Sequence, residues 1–144
     1  MQELSKFYIK DIAEIELDTF KKNAWSESNI EKEIDNPNCT FQILVENGVL
    51  IGYYSYYKSF NEAYINNIAV SAKFRSKGYG KILLKELIHK AREEQINNIT
   101  LEVRKSNIIA RKLYESFNFK NEGIRPKFYD NTEDAVIYWY RMEE

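Results

Sequence analysis

Cysteine and histidine are nearly absent from this chain: Cys39 and His89 are the only one of each among 144 residues. A single cysteine forms no internal disulfide, so a reducing, cytoplasmic setting is expected. One cysteine and one histidine are too few soft ligands for a transition-metal site. Cys39 stands beside Asn38 ahead of a strand and His89 lies on a lysine-rich helix, so both read as structural residues rather than a nucleophile pair. The two prolines, Pro37 and Pro126, read as turn residues. No apolar run approaches the roughly 20 residues of a membrane span, and the first six residues lack an apolar signal core. Charge of one sign is missing too: 21 basic against 22 acidic side chains give a net charge of −1. That leaves no global basic field for bulk nucleic-acid binding. There is no repeat, low-complexity tract or linker, and the length suits one domain spanning residues 1–144. With 44% hydrophobic and 30% charged residues, the composition is that of an ordinary soluble globular protein.

The patterning predicts a mixed α/β sheet with helices on its faces. A strand is expected near Leu4–Ile9, then a helix from Asp11, a good N-cap, to about Lys22. A second helix runs from Ser26 to about Ile34, stopped by Asn36-Pro37. Strands at Thr40–Glu46 and Val49–Tyr57 flank Asn47-Gly48, a tight-hairpin dipeptide. A strand at Ala63–Ser71 precedes a helix from Gly78 to about Gln95, with Ile82, Leu83, Leu87, Ile88 and Ala91 at helical spacing. A strand at Ile99–Arg104, a helix at Ser106–Phe117 and strands near Lys120–Ile124 and Ala135–Arg141 complete the chain.

Two side chains stand out chemically. Along Ile99–Arg104, Ile99, Leu101 and Val103 share one face, and Thr100, Glu102 and Arg104 share the other. A strand between two helices is expected near the sheet centre, apolar on both faces. A carboxylate at position 102 is therefore costly unless it is ion-paired, with Arg104 or Arg75 as candidate partners, or opens onto a cleft. In the following helix Ile109, Leu113 and Phe117 form an i, i+4, i+8 stripe toward the sheet, with Tyr114 on its flank. By periodicity alone Tyr114 is a core aromatic.

Between the strand ending near Val70 and the helix opening near Gly78 lies Arg75-Ser-Lys-Gly-Tyr-Gly-Lys81. Strand, basic glycine loop and helix in that order gather unpaired backbone N–H groups at the positive end of a helix dipole. Gly78 and Gly80 carry no Cβ, so a ligand can approach the main chain closely. A phosphate or pyrophosphate is the natural guest, although a solvated turn has the same composition. There is no G-x-x-x-x-G-K-[ST], and Leu83 stands where the third glycine of G-x-G-x-x-G belongs, which disfavours a nucleotide triphosphatase and a Rossmann dehydrogenase.

Arg75-x-x-Gly78-x-Gly80 matches the acetyl-CoA signature of the GCN5-related N-acetyltransferases. Leu101-Glu102-Val103-Arg104-Lys105-Ser106-Asn107, Ala110, Leu113-Tyr114-Glu115, Phe117-Asn118-Phe119 and Glu133-Asp134-Ala135 follow in family order. Together, from Trp25-Ser26 to Tyr140, they resemble the ribosomal-protein-alanine N-acetyltransferases of the RimI type. The resemblance implies the GNAT fold, with about seven strands in a mixed central sheet and about four flanking helices. It implies acetyl-CoA as co-substrate, without a metal. Glu102 falls on the proton-acceptor position and Tyr114 on that of the general acid that protonates the departing CoA thiolate. Ile68, Ala69 and Val70 match the strand whose backbone pairs with the pantetheine arm. Ser76, Lys77, Gly78, Tyr79, Gly80 and Lys81 match the pyrophosphate cradle. Asn107 matches an asparagine that contacts the cofactor, although capping is its local reading, with Ser106 the better cap.

The implied reaction is acetyl transfer to a protein N-terminal α-amine, with a small-subunit ribosomal protein as the implied target. An amine attacks a thioester only when neutral, and α-amino groups have a pKa of about 7.7–8 against about 10.4 for lysine. At pH 7 roughly a tenth of α-amines are already neutral, so one glutamate suffices as base. Two alternatives stay open: a GNAT acting on a lysine side chain or small-molecule amine, and a non-catalytic CoA-binding module. Two departures from the family pattern occur. Asn23-Ala24-Trp25-Ser26 replaces Phe-Pro-Trp-Ser beside the acceptor site, which bears on the acceptor rather than on the transfer. Phe117-Asn118-Phe119 replaces Leu-Gly-Phe, which is benign because asparagine tolerates the left-handed conformation. Arg125-Pro126-Lys127-Phe128-Tyr129-Asp130 resembles the family's loop beside the peptide entrance, with Tyr129 able to hydrogen-bond a peptide backbone. No nucleic acid or membrane partner is expected, and a monomer or weak homodimer is.

Overall fold

The computed structural model describes residues 1–129 and 131–142. Its elements in chain order are β1 (Gln2–Glu3), α1 (Ile9–Phe20), α2 (Glu27–Ile34), β2 (Cys39–Glu46), β3 (Val49–Ser59), β4 (Glu62–Val70), α3 (Tyr79–Glu93), β5 (Asn98–Arg104), α4 (Ile108–Ser116), β6 (Lys120–Tyr129) and β7 (Glu133–Arg141). The strands form one sheet in the order β1-β2-β3-β4-β5-β7-β6, and the four helices cover its faces. Only β4 and β5 run parallel; the other neighbours are antiparallel. This is the expected mixed α/β arrangement.

Helical spacing wins at the N-terminus, where a strand at Leu4–Ile9 was expected. Leu4 is anchored by its N–H to the Phe41 carbonyl at 3.0 Å, a short 3-10 turn follows at Lys6–Tyr8, and Ile9, Ile12 and Ile15 then bury one face of α1. Asp11 accordingly lies in the first turn of α1 rather than at its N-cap, where its charge still complements the dipole. Ser26 caps α2 in a reciprocal box with Asn29. Asn47 and Gly48 both take positive φ, 52° and 78°, as the tight hairpin requires. Asn118, at φ 69°, occupies the left-handed position that ends α4. Pro37 does sit in a turn, but Pro126 lies within β6, an edge strand whose register with β7 is broken between Arg125 and Tyr129. An edge and an irregularity both spare the ladder the missing N–H.

Two hydrophobic layers hold the sheet. On one face α1 and α2 pack Ile12, Ile15 and Ile30 against Phe41, Ile43 and Tyr53. On the other, α3 and α4 pack Leu83, Leu84, Leu87 and Tyr114 against Ile65, Leu101, Val103 and Tyr138. In α3 the buried stripe takes in Leu84, while Ile82 is 45% exposed. In α4 the stripe runs through Ala110, Leu113, Tyr114 and Phe117, with Ile109 86% exposed. Tyr114 is thus the buried centre of that face and not its flank. β5 is fully buried on its Leu101 face and largely buried on the other, where the Glu102 side chain is 9% exposed beside the end of α1. Gly52 allows the tight approach of β3 to β4 and α3: a Cβ there would meet the Ala69 carbonyl oxygen at 2.6 Å and Leu83 Cδ1 at 2.9 Å.

Candidate active site

β4 and β5 pair over three residues only, from Glu62↔Asn98 to Tyr64↔Thr100. β4 nevertheless continues to Val70, held by β3, and β5 to Arg104, held by β7. The two strands therefore part in the middle of the sheet, and among the described residues the backbone edge of Ile65–Val70 has no strand partner on that side. A cavity of about 170 Å³ lies at this parting, lined among others by Asn66, Ile68, Glu102, Asn107, Tyr114 and Tyr129. A larger groove of about 410 Å³ runs beside α1 past Asp11, Glu14 and Asp18. The smaller cavity is the one that joins a carboxylate to a buried phenol.

Those two groups arrive from opposite faces of the sheet. Alternation along β5 turns Leu101 and Val103 into the α3–α4 layer and Glu102 to the other side. Tyr114 comes up from α4, 5% exposed. Only a sheet with a gap lets both reach one small volume. Glu102 accepts a hydrogen bond from the Tyr64 hydroxyl at 2.8 Å on Oε1 and from Arg125 Nη1 at 2.9 Å on Oε2. Its ionic partner is Arg125, on the edge strand β6, instead of Arg104 or Arg75. Arg104 pairs with Glu133 at 3.1 Å and lies over the Tyr129 ring. Arg75 pairs with Asp18 at 2.8 Å and donates to the Val70 carbonyl, stapling the end of β4 to α1. Burial pushes the Tyr114 phenol well above its ordinary value, so it stays protonated across the physiological range. No hydrogen bond from its hydroxyl to another described residue competes for that proton.

The glycine loop forms the N-terminus of α3. Gly78 is the N-cap residue in the left-handed conformation, φ 88°, and among the described residues no side chain caps this end and no acidic residue occupies its first turn. The contrast with α2, capped by Ser26, is informative. The first amides of α3 remain available to an anion, with Lys77 and Lys81 beside them. Ser76, Lys77 and Gly78 are exposed, Tyr79 is half-buried against Phe74, and a Cβ at Gly80 would meet nothing closer than Leu113 Cδ2 at 3.5 Å. The open edge of Ile68–Val70 leads from the cavity toward this turn. Ile68 lines the cavity, Val70 packs in the α3–α4 layer and Ala69 faces the α1–α2 layer. An extended chain carrying polar groups at one end and a pyrophosphate at the other fits this run of free strand edge and uncapped helix.

Asn107, not Ser106, caps α4, its Oδ1 accepting from the Ala110 N–H at 3.2 Å. Capping uses the oxygen, and Asn107 also lines the cavity. Cys39 is half-buried, its thiol pushed up by burial and the neighbouring Glu33, and His89 faces solvent beside Glu93. Trp25 packs against the α1–α2 layer, its N–H donating to Glu16 Oε1 at 3.0 Å. Asp130, last residue of the segment thought to flank the peptide entrance, lies outside the described residues.

Four residues of this region escaped the sequence pattern. Tyr64 and Arg125 reach Glu102 only through strand register. Asn66 and the wholly buried Glu16 left a fainter signal, as polar residues among apolar neighbours.

Comparison with known proteins gives the same architecture and adds the family. The sequence profile described as the Acetyltransferase (GNAT) family matches residues 9–119. A ribosomal protein bS18-alanine N-acetyltransferase of Escherichia coli K12 is 34% identical over 116 residues, covering 78% of each chain. The crystal structure of the E. coli ribosomal-protein-S18-alanine N-acetyltransferase superposes with a TM-score of 0.88 at 28% identity, over 99% of this chain and 93% of that one. Ard1 from Thermoplasma volcanium superposes with a TM-score of 0.89 at 25% identity, over 99% and 97%. With a parted sheet, an uncapped glycine turn and a carboxylate and phenol meeting at the gap, this chain belongs to the acetyltransferase (GNAT) family and is an acetyl-CoA-dependent N-acetyltransferase.

Proposed function

We propose that this chain acetylates the N-terminal α-amine of a protein, with a small-subunit ribosomal protein as target. The observation that carries the reading is the entry of Glu102 and Tyr114 into one cavity from opposite sheet faces. An acceptor arriving on the Glu102 side and a thioester lying along β4 on the other can meet at the gap. The names of relatives that act on ribosomal protein bS18 support the target.

Acetyl-CoA supplies an activated acetyl group as its thioester. Glu102 takes a proton from the incoming ammonium or amine, so that nitrogen can bond to the acyl carbon as the carbon–sulfur bond breaks. Tyr114 gives its proton to the departing sulfur. Among the described residues Oε2 of Glu102 accepts only from Arg125, whose side chain is 57% exposed on an edge strand, so an arriving amine displaces a solvated guanidinium and not a buried one. The edge at Ile68, Ala69 and Val70, whose Val70 carbonyl already accepts from Arg75 Nε, is suited to the amides of the pantetheine arm. The turn at Ser76, Lys77, Gly78, Tyr79, Gly80 and Lys81 is suited to the pyrophosphate, and the spare amide of Asn107 to the cofactor between them.

Two expected results test this. Gly80→Val, in the first turn of α3, keeps the fold but obstructs the anion's approach to the helix amides. Calorimetric titration with acetyl-CoA is expected to give at least roughly tenfold weaker binding than wild type, about 1.4 kcal/mol; equal affinity removes the loop from the site. An Ala- or Ser-starting peptide is expected to be acetylated at its α-amine with kcat/KM at least about tenfold above spermidine or an internal lysine. Mass-spectrometric mapping reads this directly. Label on lysine side chains or the polyamine in competition leaves only the wider family activity standing.

A further inference from the structure

β4 carries a bulge at the parting of the sheet. Ser55 on β3 faces Asn67 and Tyr56 faces Ile65, so Asn66 is the extra residue. The insertion shifts the alternation of the strand. Ala63 and Ile65 belong to the α3–α4 layer, whereas Ala69 beyond the bulge belongs to the α1–α2 layer. The two adjacent asparagines have opposite fates. Asn67 is fully engaged, its Nδ2 donating to Glu16 Oε1 at 2.9 Å and its Oδ1 accepting from Ser55 Oγ at 3.2 Å. Asn66 lines the cavity with Glu102 and Tyr114, and its Nδ2 is buried without a partner among the described residues.

A buried amide donor without an acceptor is destabilising and rare in folded proteins, and those that persist commonly serve a ligand. The atom is a donor, so its complement is an acceptor oxygen. In an α-amino acyl unit a carbonyl oxygen lies one carbon away from the amine-bearing carbon. A lysine ε-amine or a polyamine has no such oxygen. A cavity holding a carboxylate for the amine and an amide donor for the neighbouring carbonyl matches an α-amino acyl unit, such as the N-terminal residue of a peptide.

We infer that Asn66 Nδ2 donates a hydrogen bond to the carbonyl oxygen of the acceptor's first residue, making Asn66 a determinant of α-amine selectivity. The inference rests on the proposed acetylation of protein N-termini and names how the site distinguishes them.

The experiment compares two acceptors, alaninamide and isopropylamine, which lacks the carboxamide, across wild type, Asn66→Ala and the near-isosteric, uncharged Asn66→Leu. Each variant is compared with wild type on the same acceptor, so the different basicities of the amines cancel. Both variants are expected to lose roughly tenfold or more in kcat/KM for alaninamide, about 1.4 kcal/mol, and to stay within about twofold on isopropylamine. Acetyl-CoA affinity by calorimetry is expected to be unchanged. Equal losses on both acceptors, or weaker acetyl-CoA binding, would move the contact to the thioester or to the fold and overturn the assignment. So would unchanged kinetics on alaninamide. Should Asn66→Ala fold poorly, Asn66→Leu carries the comparison. A wild-type enzyme that ignores alaninamide and Ala-starting peptides contradicts the N-terminal reading itself, whereas active wild type with indifferent variants contradicts only the role of Asn66.

Discussion

Glu102→Gln is expected to lower kcat at pH 7 by about 10²–10⁴-fold, the usual range for loss of a general base. Glutamine keeps the shape of the side chain and still accepts from Tyr64, but it no longer takes a proton from the acceptor amine. Arg125 is 57% exposed and regains water when the charge is lost, so the isosteric variant, which keeps the Tyr64 hydrogen bond, should fold nearly as well as wild type. Raising the pH toward 9 should restore part of the rate, because an α-amine of pKa about 7.7–8 then loses its proton unaided. Tyr114→Phe should also slow transfer, yet without this recovery, since a missing acid is not replaced by alkaline solvent. Steady-state pH–rate profiles of the three proteins, together with their melting temperatures, separate the cases. A Glu102→Gln profile parallel to that of wild type would make the carboxylate a structural partner of Arg125 and Tyr64.

Glu16→Ala should cost about 3–5 kcal/mol of stability, whereas Glu16→Gln should cost no more than about 1–2 kcal/mol. Glu16 is fully buried and gathers three donors: the Trp25 backbone N–H at 3.0 Å, the Asn67 amide at 2.9 Å and the Tyr53 hydroxyl at 2.5 Å. Alanine strands all three in an apolar layer. Glutamine still offers an oxygen to Trp25 and Asn67 and an amide toward the Tyr53 oxygen. The network joins the Trp25 segment to the strand that carries the bulge, so Glu16→Ala should also raise KM for the peptide more than Glu16→Gln does. Burial raises the Glu16 pKa, with the three hydrogen bonds opposing. A carboxyl whose folded pKa lies above its unfolded one stabilises most below the unfolded value, about 4.5, and that contribution fades as pH climbs through the folded value. Wild type should therefore lose stability relative to Glu16→Gln as pH rises from about 4. Thermal melts of both proteins between about pH 4 and 8 read the difference. A wild type that gains on the glutamine variant over this range would reverse the sign and remove the argument.

Most elements were legible because their signals are local. The helix start at Ser26, Asn47-Gly48, the αL residue Asn118 and the Leu83–Leu87–Ile88–Ala91 stripe each depend on a few neighbouring residues. The start of α1 was missed because burial of Ile9, Ile12 and Ile15 outweighs the capping preference of Asp11. Asn107 took the cap from Ser106 for a similar reason, its side chain reaching the Ala110 N–H from a residue that also lines the cavity.

The order of residues by itself determined the mixed α/β class of fold and the glycine turn ahead of α3, since periodicity and glycine placement are properties of the chain as written, whereas Glu102 and Tyr114 came forward as proton-transfer candidates only through the family resemblance. Where those pieces meet was decided in three dimensions. Pairing of β4 with β5 ends at Tyr64↔Thr100, and that single register opens the gap in which Glu102 and Tyr114 converge. The partners of Glu102 come from positions 64 and 125, and the donor left over at Asn66 exists because one residue too many was fitted opposite β3. Contacts between residues far apart in sequence follow from strand pairing and bulges, which no window of neighbouring residues encodes.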